Sequence, residues 1–304
     1  MLSDSYIKAA IKNVEEYLDK QGRQLRKKVS GPSSNGYRPE LDVSPELGDD
    51  ESTYFQELIG ILRWAIELGR VDIMTPVALL SQYLASPRQG HLEEIFHIMA
   101  YLKHHGRSKM VFDDTFVDWG DKFPKEDWCD FYGDIKEPLP DYMPEPRGHE
   151  VQINCFVDAD HAGNKVTRRS HTGIIIYLNR APVDLYSKKQ NTVETSSFGS
   201  EFVAMRVASE KIQGLRFKLR MMGIPLTGPA NVFGDNNSVV QNSSRPESTL
   251  KKKHLSICFH CVRECVAMDT MRICYEPGKT NLADLFTKLL PGPAVRELAS
   301  KILF

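Results

Sequence analysis

The sequence of 304 residues lacks the features that mark membrane and secreted proteins. No apolar run approaches the ~20 residues that a membrane helix needs. The first ten residues do not place a basic segment before an apolar one, so we expect no signal peptide. Six cysteines in a chain of this length do not indicate a disulfide framework, and we expect reduced thiols. These absences predict an intracellular protein without a membrane partner.

Charge is distributed unevenly, although the net charge is only −1. Residues 1–150 hold 18 Lys and Arg against 27 Asp and Glu, a balance of −9. Residues 151–304 hold 21 against 13, a balance of +8. A basic half is typical of a domain that binds a polyanion, most often nucleic acid, but a solvated basic face would give the same count.

The length of the chain suggests two domains. Hydrophobic periodicity divides it into a helical part and an α/β part. Apolar residues at helical spacing predict helices over 52–69 and 91–103. Residues 133–150 contain four prolines and are predicted to be a linker. Beyond the linker the pattern predicts the order β-β-β-α-β-α-α-β-α, which indicates a mixed sheet with helices packed on it. The predicted strands are 151–157, 172–178, 181–186, 230–233 and 271–275, the crossover helix is 197–222, and the last helix starts near Asn281.

Four acidic residues lie in or beside the apolar segments of this second part, namely Asp158, Glu201, Asp235 and Asp284. Glu201 begins an apolar stripe of the crossover helix, which predicts that it points toward the sheet. A buried carboxylate costs several kcal/mol unless it is paired or bound to metal. Each acid alone has an ordinary interpretation. Glu201 could be an exposed first-turn residue and Asp158 part of a solvated turn. Asp235 could be a helix cap, and Asp284 could form a surface ion pair with Lys288. Together they favour a two-metal nuclease site, because clustered carboxylates need cations.

Six segments resemble, in their order, the ribonuclease H domain of copia-type LTR retrotransposon polyproteins. They are FVDADHAG, TRRSHTG, SKKQNTVETSSFGSEFVA, FGDNNSVV, KKKHLSICFHCVRE and NLADLFTK. The upstream segments LDVSPEL, YFQELIGILRWAIELGRVDI, LLSQYLASPRQGHLEEIFHIMAYLK and EPLP resemble the region between polymerase palm and ribonuclease H. The resemblance implies an α/β fold, a ribonuclease H-like mixed five-stranded sheet flanked by helices, after a mainly helical connection region. It implies a thumb/connection-like region over 1–132, the Pro-rich linker over 133–150 and a ribonuclease H-like domain over 151–304.

The resemblance also implies an activity, the cleavage of the RNA strand of RNA–DNA hybrids. Asp158, Glu201, Asp235 and Asp284 become the catalytic and metal-binding residues, holding two Mg²⁺ ions, or Mn²⁺ in their place. The implied partners are the hybrid, read by its shape, and the polymerase portion of a reverse transcriptase. The implied location is the cytoplasm, in a virus-like particle, or the nucleus. The candidate phosphate contacts are Arg168, Arg169, Lys188, Lys189, Lys251, Lys252 and Lys253.

The sequence departs from the family pattern at several positions. His161 and Leu185 each stand where the family usually has Trp, and Cys258 stands where Asp is common. Gly199 and Ser200 replace an Ala/Glu-rich stretch. These changes leave a second hypothesis open, that the chain is a non-catalytic remnant acting as a nucleic-acid-binding or structural module.

Two other sites can be weighed from the sequence. A reverse transcriptase needs a (Tyr/Phe)-x-Asp-Asp turn, but VFDD at 111–114 has its Phe one place late and follows the connection-like helices, so we expect no DNA synthesis. A helical stripe of potential zinc ligands is formed by His254, Cys258, Cys261 and Cys265. Structural zinc normally draws its ligands from two segments, and cysteine is often simply a small buried residue, so the zinc interpretation is disfavoured.

Overall fold

The computed structural model describes residues 2–106, 109–123 and 125–303. The chain forms two compact units. Unit 1 comprises Met1–Val111, Asn164–Thr167 and Lys288–Phe304, and unit 2 comprises Phe112–Gly163 and Arg168–Thr287. The helices are α1 (Leu2–Asp19), α2 (Asp49–Glu67), α3 (Met74–Leu80), α4 (Gln89–His104), α5 (Cys129–Tyr132), α6 (Ser197–Met221), α7 (Asn237–Ser244), α8 (Ser256–Ala267) and α9 (Gly292–Ala299). The strands are β1 (Ile153–Asp160), β2 (His171–Leu178), β3 (Ala181–Lys189), β4 (Ala230–Gly234) and β5 (Met271–Tyr275). None of the helices in the described ranges is long and apolar enough to cross a membrane.

Unit 1 is mainly helical, and its core lies between the apolar faces of α1, α2 and α4. The two helices predicted from periodicity are therefore confirmed as α2 and α4. Buried polar side chains on α4 hold the irregular segment that precedes α2. Glu94 accepts hydrogen bonds from the Ser33 hydroxyl (2.9 Å) and the Ser34 amide (2.7 Å), and a ring nitrogen of His97 contacts Gly31 O at 3.0 Å. The long loop is thus fixed by specific partners rather than by secondary structure.

Unit 2 is built on one five-stranded sheet with the order β3-β2-β1-β4-β5. The pairs β1–β2 and β2–β3 are antiparallel, whereas β1–β4 and β4–β5 are parallel. The long helix α6 connects the antiparallel edge to β4, as a parallel pairing requires a crossover. The predicted mixed sheet with flanking helices is confirmed.

The two faces of the sheet have different covers. Alternate residues of β1, such as Cys155 and Val157, share a buried core with α6. On the opposite face Phe156 stacks on Phe233 at 4.8 Å between ring centroids. Trp119 and Phe123 pack on Phe233 from the segment before the predicted linker, at 4.5 and 5.5 Å. An irregular segment therefore covers one face of the sheet, and it belongs to unit 2.

The Pro-rich segment 133–150 is attached to unit 2 by hydrogen bonds. Arg147 N donates to Gly223 O at 2.7 Å, and the Glu137 carboxylate pairs with Arg216 and Arg220 of α6. The segment therefore docks on the α/β unit along its own length. The domain boundaries given from the sequence remain a prediction.

The last predicted helix differs from the structure. The residues after Asn281 form a short 3-10 helix, Leu282–Phe286, and the α-helix α9 begins only at Gly292. Pro291 explains the break, because proline disfavours the helical conformation of the residue before it. Asp284 therefore lies in a single tight turn rather than in the first turn of an α-helix.

Candidate functional site

Three carboxylates meet at one edge of the sheet of unit 2. Asp158, Asp235 and Asp284 each offer one carboxylate oxygen such that the three oxygens lie within 4.8 Å of one another. Asp158 is buried, and the other two are half-buried. Three such groups brought together from distant positions in the sequence form a potential cation site, since carboxylate oxygens are the ligands that hard cations prefer.

Parallel pairing explains how two of these residues come together. β1 and β4 run parallel, and the last pair in their register is Val157 opposite Gly234. The next residue of each chain segment, Asp158 and Asp235, therefore lies at the same edge of the sheet. Asp158 lies within β1 and is 1% exposed, so its interpretation as part of a solvated turn is wrong. The cap of α7 is Asn236, whose side chain accepts from Val239 N at 3.3 Å, so Asp235 is not the cap.

Asp284 reaches the same edge from the 3-10 helix Leu282–Phe286. That helix is attached to β1 at both of its ends. Asn281 donates from Nδ2 to Val157 O at 3.0 Å, and Thr287 donates its hydroxyl proton to Oδ2 of Asp158. The third carboxylate is therefore held by contacts to the strand that carries the first.

Glu201 is the fifth residue of α6, just beyond its first turn, and is 8% exposed. Its burial on the apolar stripe is confirmed, and its interpretation as a solvent-exposed first-turn residue is wrong. The three-carboxylate group does not include it, and its catalytic role remains a prediction. Next to it, Ser200 Oγ lies 3.3 Å from Nδ1 of His161, so two positions that depart from the family pattern contact each other.

The predicted phosphate contacts near β2 and β3 lie close together at one end of these strands. Lys188 and Lys189 end β3 and pair in register with Thr172 and His171. Burial, and then the charge of Arg169, lower the pKa of Lys189. Arg168 and Lys188 are exposed, whereas Arg169 and Lys189 are half-buried. These four cations could contact a polyanion together, and that role remains a prediction.

The other predicted phosphate contacts lie in the segment before α8. Lys251 and Lys253 are exposed. Lys252 is half-buried because its ammonium group donates to the hydroxyl of Ser196, the N-cap of α6, and lies 5.7 Å from the ring centroid of Phe198. Lys252 therefore has a structural contact that the sequence did not indicate.

The helical stripe of potential zinc ligands does not converge in the part of the chain that the structure describes. His254 lies 3.5 Å from the Glu194 carboxylate, and Cys265 is buried with Gln213 donating to its sulfur at 2.8 Å. The hydrogen bond with Cys265 lowers the pKa of Cys261 to about 7. His254 and Cys265 therefore have different partners, Glu194 and Gln213.

Sequence reasoning assigned no role to Gly173, Asn281 or Thr287. Gly173 lies opposite Asp158 in the antiparallel pair, and the other two residues bracket the turn that carries Asp284. All three fall inside the quoted motifs TRRSHTG and NLADLFTK. Their position in motifs was therefore visible, but their contacts depend on a strand register that the sequence does not show.

The order of the strands and the long crossover helix identify the fold of unit 2. A five-stranded mixed sheet with three antiparallel strands first and a long helix crossing to the parallel pair is the ribonuclease H-like fold. The N-terminal ribonuclease H domain of a Mycobacterium tuberculosis protein, solved as a fusion with maltose-binding protein, is 14% identical. It covers 50% of this chain and 98% of that chain, with a TM-score of 0.35. The fold class rests on the sheet order itself.

Homologues of the chain include retrovirus-related Pol polyproteins of copia-type transposons. The polyprotein of transposon RE1 from Arabidopsis thaliana is 27% identical over 267 residues, which are 87% of this chain and 16% of the polyprotein. That of transposon RE2 from the same plant is 24% identical over 279 residues, 91% of this chain and 16% of the polyprotein. The chain thus spans about one sixth of the length of these relatives. No family model matches the sequence.

Proposed function

We propose that the chain is a metal-dependent endonuclease that cleaves the RNA strand of RNA–DNA hybrids. The observation that carries the proposal is the meeting of Asp158, Asp235 and Asp284 within 4.8 Å on a ribonuclease H-like sheet. Similarity to transposon Pol polyproteins supports it, because reverse transcription produces such hybrids. We further propose that the chain works with the polymerase portion of a reverse transcriptase.

The residues present fit a divalent cation. The donor set is oxygen only, and carboxylate oxygens from three separate elements suit Mg²⁺ or Mn²⁺ better than a softer metal. Two of the three carboxylates are half-buried, so the edge is open to water and to a phosphate group. Bound ions would activate the attacking water and stabilise charge on the leaving oxygen.

The side chains of the chain itself have three roles in this proposal. Asp158, Asp235 and Asp284 hold the cations, and Glu201 joins them from α6 to complete the set. Because Asp158 is buried, it fixes the inner limit of the site, while the half-buried pair faces the substrate. Binding of the hybrid falls to the lysine and arginine side chains at the ends of β2 and β3 and before α8, which would contact phosphates rather than bases.

Cleavage of a labelled hybrid tests the proposal. We expect the full chain to cut only the RNA strand, with Mg²⁺ and not with EDTA. Asp235→Asn and Glu201→Gln should abolish cutting while hybrid binding persists. Asp269→Asn is the matched control, since Asp269 is exposed in the same unit and its left-handed backbone (φ 54°) also suits Asn.

Two results would contradict the proposal. Undiminished cutting by Asp235→Asn would exclude the three-carboxylate edge as the active site. No cutting by a folded protein in Mg²⁺ or Mn²⁺ would favour a non-catalytic nucleic-acid-binding or structural module, and hybrid binding by the same sample would then separate those two roles.

A further inference from the structure

A glycine leaves room for the turn that carries the third carboxylate. Gly173 of β2 lies directly opposite Asp158 of β1. A Cβ atom built on Gly173 would lie 2.6 Å from Cγ2 of Thr287, 2.7 Å from the carbonyl oxygen of Ala283 and 2.9 Å from the carbonyl carbon of Phe286. Real Cβ atoms essentially never approach so closely, and two of these atoms belong to the backbone and cannot turn aside. The 3-10 helix therefore occupies the space that any other side chain at Gly173 would fill.

The close approach places one hydroxyl group against the buried carboxylate. Thr287 is 2% exposed, and its Oγ1 donates to Oδ2 of Asp158. The same oxygen lies 3.4 Å from Ala283 O and 3.3 Å from Asp284 O. A hydroxyl has one proton to donate, and the charged carboxylate is both the nearest and the strongest acceptor of the three.

We propose that Thr287 is a positioning residue for metal binding, which orients the carboxylate of Asp158 so that it meets Asp235 and Asp284. The inference deepens the proposed function and rests on it. The second torsion angle of an aspartate is broad and roughly two-fold, so the strand alone does not fix the carboxylate plane. A buried hydroxyl on one oxygen fixes that plane, and Asn281 anchors the other end of the turn to Val157 O.

Hydrogen-bond partners of metal ligands contribute strongly to metal affinity. Losing such a partner typically weakens binding by about 10–100-fold. Thr287 is a favourable case, because it is attached to Asp158 and lies three residues from Asp284, so one residue couples two ligands. Its hydroxyl should matter for metal binding even where it matters little for folding.

Calorimetric titration of the full chain with Mn²⁺, in the absence of hybrid, tests the inference. Thr287→Val replaces the hydroxyl by a methyl group of similar size, and Thr287→Ser keeps the hydroxyl. We expect Mn²⁺ affinity to fall about 10–100-fold in Thr287→Val and to change less than about 3-fold in Thr287→Ser. Asp158→Asn serves as the control that should lose the site. Circular dichroism before each titration limits the comparison to folded samples, and Thr287→Ala is used if Thr287→Val does not fold.

The outcomes separate this inference from the proposed function. If the parent chain binds Mn²⁺ and Thr287→Val binds it equally well, Thr287 does not position Asp158, and the proposed function stands. If Thr287→Ser loses as much affinity as Thr287→Val, the hydroxyl is not the cause, and the inference is overturned. If the parent chain binds Mn²⁺ no better than Asp158→Asn, the proposed function fails, and this inference fails with it.

Discussion

Replacing Glu137 by Gln should destabilise unit 2, because this residue of the Pro-rich segment is paired with buried arginine. Its Oε1 accepts from Arg216 Nε at 2.8 Å, and its Oε2 accepts from Arg216 Nη2 and Arg220 Nη2, both at 2.7 Å. The Arg216 side chain is 4% exposed and that of Glu137 is 15% exposed. Glu137→Gln would leave the Arg216 charge buried without its counter-charge.

The expected loss is about 3 kcal/mol in the free energy of unfolding. Removing one partner of a buried ion pair costs about 3–5 kcal/mol, and the lower end applies here. Arg216 keeps a hydrogen bond from Nη1 to Gly228 O at 2.6 Å, and the Gln amide oxygen can still accept one bond. For a slope near ~2 kcal/mol per M of urea, the midpoint should fall by about 1.5 M.

The same pair predicts a pH dependence. Burial acts to raise the pKa of Glu137, but the hydrogen bonds and charges of Arg216 and Arg220 outweigh burial and lower that pKa below its ordinary value of 4.5. The stabilisation is therefore present above pH 4.5 and is lost as the pH falls through the lower pKa of the folded state. Glu137→Gln should remove this part of the acid sensitivity.

Tryptophan fluorescence during urea unfolding measures the effect. The chain has three tryptophans, and a Trp64→Phe background leaves Trp119 and Trp128, which both lie in unit 2. Glu150→Gln is the matched control, because it removes the same charge at an exposed position of the same segment. Equal midpoints for Glu137→Gln and Glu150→Gln would refute the reasoning and would indicate that segment 133–150 is a free linker.

Two further predictions concern charge. Burial, and then the charge of Lys189, lower the pKa of His171 to about 4 from an ordinary 6.5, so the unfolded chain takes up a proton that the folded one does not. The free energy of unfolding should therefore fall as the pH drops from about 6.5 to about 4, and an unchanged slope in His171→Gln would contradict this assignment. The affinity for the hybrid should fall less steeply with salt in Lys188→Gln, with the negative slope of log affinity against log salt reduced in magnitude by about 1. Lys8→Gln in unit 1 should leave this slope unchanged. Equal slopes in the two variants would exclude Lys188 as a phosphate contact.

Patterns with a regular period allowed much of the fold to be predicted. Strand alternation and helical stripes located α2, α4 and all five strands, and β5 was predicted with its observed bounds. Parallel pairing could also be inferred, because three strands followed by a long helix leave few other arrangements. The predicted burial of Glu201 came from the same stripe and was confirmed.

Features that depend on contacts between distant segments could not be predicted. Trp119 and Phe123 cover a face of the sheet from a segment without any period, so nothing in the sequence links them to Phe233. The role of Gly173 depends on its register opposite Asp158, and one residue of slip would remove it. The sequence placed four acids at the ends of elements, but it could not tell that three would form one group without the fourth.

The position of Asp284 in the chain has a consequence for the order of synthesis. Asp158 and Asp235 are made before the last segment of unit 2, and their strands β1 and β4 pair directly with each other. The third carboxylate and the threonine that holds the first one are made only at the end of that unit. Because chains emerge from the ribosome in sequence order, the sheet can form while the cluster is still incomplete. A nascent chain would therefore carry the proposed RNA-cutting edge in an inactive form until residue 287 has left the ribosome.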